Sequence, residues 1–246
     1  MVIFKINYNK KIGKNNYGRI VTRHREKGRK SLYIPIDLNY FNYETDKKFY
    51  IRLLSTESNH MYRNTKLILG LSMEGKTKGQ LRYIIKPNKK SLGDLIKFTE
   101  KTSKHFGDIN YLNNFDINDK LYSLEFKPKI KSKICLSAKC VSILLNKENN
   151  LIKIKLPSNK IKKLNNKCYA VYGNSEKVIS NFKQKAGTER LFGNRPKVRG
   201  SAMNACDHPH GGGEGKAPIG RRSICSFKGK KTKGVKTVKF KNDYIK

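Results

Sequence analysis

The sequence predicts a mainly β protein built as two small barrels with basic extensions at both ends. Three observations carry that expectation. Short apolar runs rich in strand-forming residues recur from Tyr33 to Phe182 between polar punctuation. A polar break from Thr99 to Asn114 divides them into halves of similar size, each suited to about five strands. The composition then changes at Ala186, beyond which apolar residues are isolated and glycine is frequent.

Taken in order, 1–32 reads as a basic N-terminal extension and 33–105 as the first barrel, with FYIRLL (Phe49–Leu54), KLILGLSM (Lys66–Met73) and LRYII (Leu81–Ile85) as strands. The second barrel, 106–185, draws on KLYSLEF (Lys120–Phe126), VSILL (Val141–Leu145), LIKIKL (Leu151–Leu156) and CYAVYG (Cys168–Gly173). The clearest strand is Leu151–Leu156, where Ile152, Ile154 and Leu156 alternate with Lys153 and Lys155, so one face is buried and the other basic. Turn residues bracket it, Lys147–Asn150 before and Pro157–Asn159 after, which predicts antiparallel neighbours. SEKVISNFKQ (Ser175–Gln184) has a Ser N-cap, Val178, Ile179 and Phe182 at helical spacing, and Gly187 as a stop, so a helix is expected there. The last segment, 186–246, holds 10 of the 19 Gly and 15 Lys and Arg against 4 acids. It cannot build a core and is expected to become ordered on a nucleic-acid surface.

The formal net charge of +37 comes from 55 Lys and Arg against 18 Asp and Glu over 246 residues. A globule of this length has a radius of gyration of roughly 18 Å, about twice the Debye length of ~8 Å at physiological salt. Its self-repulsion would be largely unscreened, so a polyanionic partner is required. No run reaches the ~18 apolar residues of a membrane span, and the N-terminus has neither signal-peptide nor transit-peptide character. Five irregularly spaced cysteines, Cys135, Cys140, Cys168, Cys206 and Cys225, read as free thiols of a reducing compartment. The counts of 43 Lys, 24 Asn and 23 Ile, with no Trp, favour codons built from A and U and hint at an AT-rich genome such as an organelle's.

Two segments carry the chemistry. In Gly193–Lys216, Arg195, Lys197 and Arg199 alternate along a stretch that Pro196 keeps open, so successive cations can follow successive phosphates. Gly211, Gly212, Gly213 and Gly215 let backbone N–H groups approach a surface, while His208 and His210 can stack on bases or donate to phosphate and 2′-hydroxyl oxygens. The second segment, Tyr17–Lys30, sets Arg19, Arg23, Arg25 and Arg29 around His24. Nine of the 12 Arg lie in this segment or between Arg190 and Arg222, and the planar guanidinium binds phosphate bidentately where Lys is a point charge. Other readings stand beside this one. Cys206, Asp207, His208, His210 and Glu214 are five possible metal ligands within nine residues, which would suit a metal-dependent hydrolase, although a closed zinc site normally pairs two separated couples. A solvated charged face, a flexible loop without a partner, and a free nucleic-acid chaperone binding through charge are the remaining alternatives. Cys135 and Cys140 in CLSAKC have no second ligand couple and read as core or surface thiols, and Phe227–Lys241 by itself would be a generic polycation.

At these residues the chain resembles the universal large-subunit ribosomal protein family called L-two. RPKVRGSAMNACDHPHGGGEGK (Arg195–Lys216) is similar to that family's signature, in which Arg-Pro-x-Val-Arg-Gly leads into Asp-His-Pro-His-Gly-Gly-Gly-Glu-Gly. The resemblance extends to GRIVTRHR (Gly18–Arg25), LRYIIKP (Leu81–Pro87), GDINYLNNF (Gly107–Phe115), IKIKLPSNKIKKL (Ile152–Leu164), KAGTERLFGNRP (Lys185–Pro196) and GKKTKG (Gly229–Gly234). It departs at Glu26–Arg29, where the family has a triple glycine with His, and at Ala205 and Cys206, where it has Pro-Val.

The resemblance implies an oligonucleotide-binding-type barrel followed by an SH3-like barrel, both ends extending into ribosomal RNA. It implies a non-enzymatic structural constituent of the large subunit, a primary rRNA-binding protein near the peptidyl transferase centre that supports subunit association and translation. The histidine implicated in peptidyl transfer falls on His208. The expected RNA contacts are Arg19, Arg23, His24, Arg25, Arg29, Arg195, Lys197, Arg199, Asn204, His208, His210, Gly211, Gly212, Gly213, Lys216, Arg221, Arg222, Lys230, Lys231 and Lys233. Expected partners are large-subunit rRNA, neighbouring ribosomal proteins and the small subunit, with no membrane. No catalytic residue, metal site or cofactor is expected, Mg2+ entering only with bound rRNA. The AT-type composition points to the mitochondrial matrix, with another AT-rich organelle or the bacterial cytoplasm as the alternative.

Overall fold

The computed structural model describes residues 5–7, 12–29, 32–40, 48–58, 64–75, 77–99, 105–178, 185–235 and 244–245. The chain divides into two compact units, one of residues 1–8, 31–180 and 243–246, the other of 9–30 and 181–242.

The larger unit is a β structure. Its strands are β1 (Ile6–Asn7), β2 (Leu32–Tyr33), β3 (Lys48–Ser58), β4 (Lys66–Ser72), β5 (Leu81–Ile85), β6 (Leu95–Thr99), β7 (Ile109–Tyr111), β8 (Lys120–Tyr122), β9 (Ser142–Glu148), β10 (Leu151–Lys155), β11 (Ile161–Asn165), β12 (Tyr169–Tyr172) and β13 (Tyr244–Ile245). β1 and β2 pair with each other, and the other eleven form one hydrogen-bonded order, β13-β11-β10-β9-β8-β12-β7-β6-β3-β4-β5. All pairings are antiparallel except β6 with β7, which meet in parallel at Phe98 and Ile109 and join the two halves of the sheet. The chain is thus mainly β, as its alternating runs require.

Strand alternation decides which residues enter the core. In β3, Phe49, Ile51 and Leu53 are buried while Arg52 and Leu54 are exposed. In β10, Ile152 and Ile154 are buried, and the expected turns appear on both sides as the β9–β10 and β10–β11 hairpins. Asn159 supplies the left-handed turn position at φ 61° and donates its N–H to the Leu156 carbonyl at 2.9 Å. Leu121, Leu124, Leu144, Leu67 and Ile68 are fully buried in the same cluster, each contributing about 1.5–3 kcal/mol by removal from water. Burial pushes the Cys135 and Cys168 thiols up to about 12, so both behave as core side chains rather than nucleophiles.

Three expectations are corrected. The stretch read as a polar break contains β7, which pairs with β12 from Ile109↔Val171 to Tyr111↔Tyr169. Asp108 and Asn110 are buried there because their hydrogen bonds are met internally: Asp108 Oδ1 accepts from the Lys97 N–H at 3.2 Å, and Asn110 Oδ1 accepts from Asn114 Nδ2 at 2.7 Å. The run Lys120–Phe126 is strand only to Tyr122, since Ser123 turns to φ 50° and its hydroxyl lies 2.6 Å from Tyr40 Oη and 3.0 Å from Ser132 Oγ. The helix expected over Ser175–Gln184 does not begin at its N-cap. Ser175 and Lys177 instead make antiparallel bridges to Pro87 and Thr65, and the Glu176 carboxylate binds both Lys66 and Lys86. Tertiary pairing overrides the helical spacing there, and the rest of that segment, 179–184, lies outside the described residues. Among the described residues no helix is long and apolar enough to cross a membrane.

Candidate nucleic-acid interface

Every residue expected to contact RNA falls in the smaller unit. Among its described residues none belongs to the hydrophobic core cluster. Backbone hydrogen bonds, glycine contacts and a few ring contacts hold its described parts together, which suits a segment whose apolar residues are isolated.

The two arginine-rich segments, about 165 residues apart in sequence, are zipped together. The Glu26 N–H donates to the Gly193 carbonyl, the Arg29 N–H to the Leu191 carbonyl and the Arg195 N–H to the His24 carbonyl, each at 2.9 Å. Arg25 and Asn194 form the antiparallel bridge between them. Such close approach needs two glycines. A Cβ at Gly28 would lie 2.5 Å from the Leu191 carbonyl oxygen, and one at Gly193 would lie 2.5 Å from that of Glu26. The single helical turn α1 (Thr188–Leu191) leads into the zipper, and Glu189 accepts from Asn194 Nδ2 at 2.6 Å.

Beside the zipper lies a cavity of about 540 Å³ whose lining includes His24, Arg25, Arg190, Arg195 and Lys197. Glu26 accepts from Arg190 Nε at 2.9 Å and lies 3.9 Å from Arg195 Nη1. The acid that departs from the familiar pattern is therefore an internal counterion that orients two guanidinium groups. Arg195 remains about half exposed. Arg19, Arg23, Arg25, Arg29, Lys197, Arg199, Lys216, Arg221, Arg222, Lys230, Lys231 and Lys233 are likewise exposed, as required of groups that meet phosphate. Arg23 also reaches the ring of Phe227, its guanidinium carbon 5.1 Å from the ring centre.

The histidine and glycine loop folds on itself. The His208 and Asp207 N–H groups both donate to the Asn204 carbonyl, at 3.3 and 3.0 Å, and the Gly212 N–H donates to that of Met203 at 3.1 Å. The His210 N–H donates to His208 Nδ1, and the Cys225 N–H donates to His210 Nε2, both at 3.0 Å. With those nitrogens accepting, the neutral rings present their own N–H groups at His208 Nε2 and His210 Nδ1. The two imidazoles meet edge to face with centroids 4.8 Å apart, and both are half-buried. A Cβ at Gly211 would overlap the Asn204 and Met203 carbonyls, and one at Gly200 would overlap the His208 ring. These two glycines are thus demanded by the fold of the loop itself. Gly212 and Gly213 are exposed, both at φ 88°. Among the described residues no three His, Cys, Asp or Glu side chains are gathered where they could hold a metal ion.

Glu26, Gly28, Arg190 and Gly193 were not among the expected contacts, because their role depends on pairing between distant segments. Arg190 alone had a local signal, as one of the clustered arginines.

Comparison with known proteins gives a consistent picture. Residues 3–98 match the family model for the RNA binding N-terminal domain of Ribosomal Proteins L2, and residues 105–229 match the C-terminal domain of the same family. The chain is 35% identical over 234 residues to the large ribosomal subunit protein uL2 of Aliarcobacter butzleri, an alignment covering 93% of this chain and 81% of that protein.

Proposed function

The chain belongs to the ribosomal protein L2 family, and from that premise we propose that it is a structural constituent of the large ribosomal subunit that binds rRNA directly. The observation that carries this reading is the zipper. It gathers arginines from two distant segments around one cavity, with Arg25 exposed and Arg195 about half exposed. Arg25, Arg195 and Lys197 bind successive phosphates there, the guanidinium pair bidentately. The loop of His208 and His210 offers ring N–H donors and the exposed, side-chain-free surface of Gly212 and Gly213 to RNA near the peptidyl transferase centre, where the chain supports subunit association. Peptide-bond chemistry belongs to the RNA, and His208 positions or buffers it at most. Neighbouring ribosomal proteins and the small subunit complete the partners. The protein brings no cofactor of its own, and Mg2+ comes with the rRNA.

The abundance of Lys, Asn and Ile supports a mitochondrially encoded member acting in the matrix. Crosslinking on intact ribosomes tests the placement. Gly200–Gly215 should crosslink to large-subunit RNA, and crosslinks to protein alone would overturn it. Sedimentation separates this reading from a free RNA chaperone: the chain should stay with large subunits at moderate salt, where a loose polycation washes off.

A further inference from the structure

We propose that the larger unit carries a pocket for a single unstacked nucleobase, bounded by Tyr111, Asn113, Asn166 and Lys167 and separate from the arginine zipper. It deepens, and rests on, the reading of the chain as an RNA-binding protein.

Three aromatic rings make successive contacts from the core outward. Phe98 and Tyr169 are buried in the core with ring centroids 5.2 Å apart. Tyr111 stacks on Tyr169 with centroids 4.4 Å apart and planes 25° from parallel, and the Tyr169 hydroxyl donates to that of Tyr111 at 2.6 Å. Tyr111 is the outermost of the three, half-buried, and it lines a cavity of about 390 Å³. That volume lies within the ~300–1,000 Å³ of small-molecule pockets. The hydroxyl bond and the stack hold the ring rigidly, so a planar ligand meets a preformed platform rather than a mobile side chain.

The rest of the lining has the composition a base requires. Asn113 is exposed and brings an amide with donor and acceptor capacity for a base edge, the amides of Asn114 and Asn166 line the same cavity while donating to Asn110 and Asn149, and Lys129 and Lys167 are exposed cations on its lining. No carboxylate lines this cavity, whereas Glu189 lines the zipper cavity. The supporting backbone is fixed: Lys147 Nζ donates to the Asn113 carbonyl at 2.7 Å, and Asn166 Nδ2 donates to that of Asn149 at 3.3 Å. Lys129 is held at φ 63°, a conformation that a side chain with a Cβ adopts at a cost, and it stands on the rim of the pocket.

The test uses the full chain with two RNA hairpins that differ only in one bulged 2-aminopurine. The chain has no Trp, so the probe's emission stands clear of the protein's. The bulged hairpin should bind about tenfold tighter than the paired one, with the probe quenched on stacking. Tyr111→Leu should abolish both effects and leave the paired hairpin's affinity unchanged. Asn113→Ala, at an exposed side chain that cannot perturb the core, should reduce the preference severalfold. Equal binding of the two hairpins with unchanged emission overturns the pocket while the RNA-binding reading stands. Failure to bind either hairpin overturns both.

Discussion

The β unit carries 30 Lys and Arg against 14 acids over 162 residues, and the smaller unit carries 25 against 4 over 84. The two units also use their charges differently. In the β unit acids are shared out among cations: Glu176 binds Lys66 and Lys86, Glu148 binds Lys153 and Lys163, and Asp37 binds Arg82. In the smaller unit the described ion pairs converge on Glu26, which meets Arg190 at 2.9 Å and Arg195 at 3.9 Å, while Arg19, Arg23, Arg25 and Arg29 stay exposed. One unit is specified by a core and tolerates surface charge. The other is specified by backbone contacts and glycine clearances.

That contrast can be broken from either side. The largest effect is expected in the β core, where Leu121→Ala removes a fully buried side chain and should cost about 2–5 kcal/mol in denaturant unfolding. The RNA affinity of the molecules that remain folded should hardly change. In the smaller unit Gly193→Val forces a Cβ against the Glu26 carbonyl. Titration with large-subunit rRNA should show affinity falling at least tenfold, with the melting of the β unit retained. Sharper still is the salt dependence. Arg25→Ala or Arg195→Ala should each reduce the slope of log affinity against log salt by about 0.7–0.9. Lys163→Ala, which only loosens Glu148, should leave that slope nearly unchanged. A Lys163 effect equal to that of Arg195 would mean that the two units bind RNA alike.

The smallest effect concerns pH. Burial works to raise the Glu176 carboxyl, but its bonds to Lys66 and Lys86 outweigh this and hold it below the ordinary value of 4.5. A carboxyl depressed in the folded state contributes stability above its unfolded pKa and loses it as pH falls through the folded one. Acid titration of the β unit's melting should therefore show stability falling as pH drops below 4.5. Glu176→Gln should lack this loss and start less stable at neutral pH.

Much of this was legible in local pattern. Ile152 and Ile154 against Lys153 and Lys155 announce a half-buried strand without help from the rest of the chain, because side-chain alternation is a property of adjacent residues. The concentration of Arg in two segments is likewise a local signal, and the structure brings those two segments together. Ser175–Gln184 misled because helical spacing is a weak preference beside the pairing of Glu176 with two lysines and of its neighbours with Thr65 and Pro87. β7 escaped notice because Asp108 and Asn110 look like loop residues until their buried partners are known.

By itself, then, the sequence determined the β character of the middle of the chain, the excess charge and the clustering of Arg, since all three follow from composition and short-range periodicity. Only the tertiary structure decided that Gly28 packs on Leu191, that Glu26 serves Arg190, and that Phe98, Tyr169 and Tyr111 form one column ending at a cavity. Those contacts join residues tens to more than a hundred positions apart. Which of the many possible distant pairings forms is settled by mutual fit, and no local window contains it.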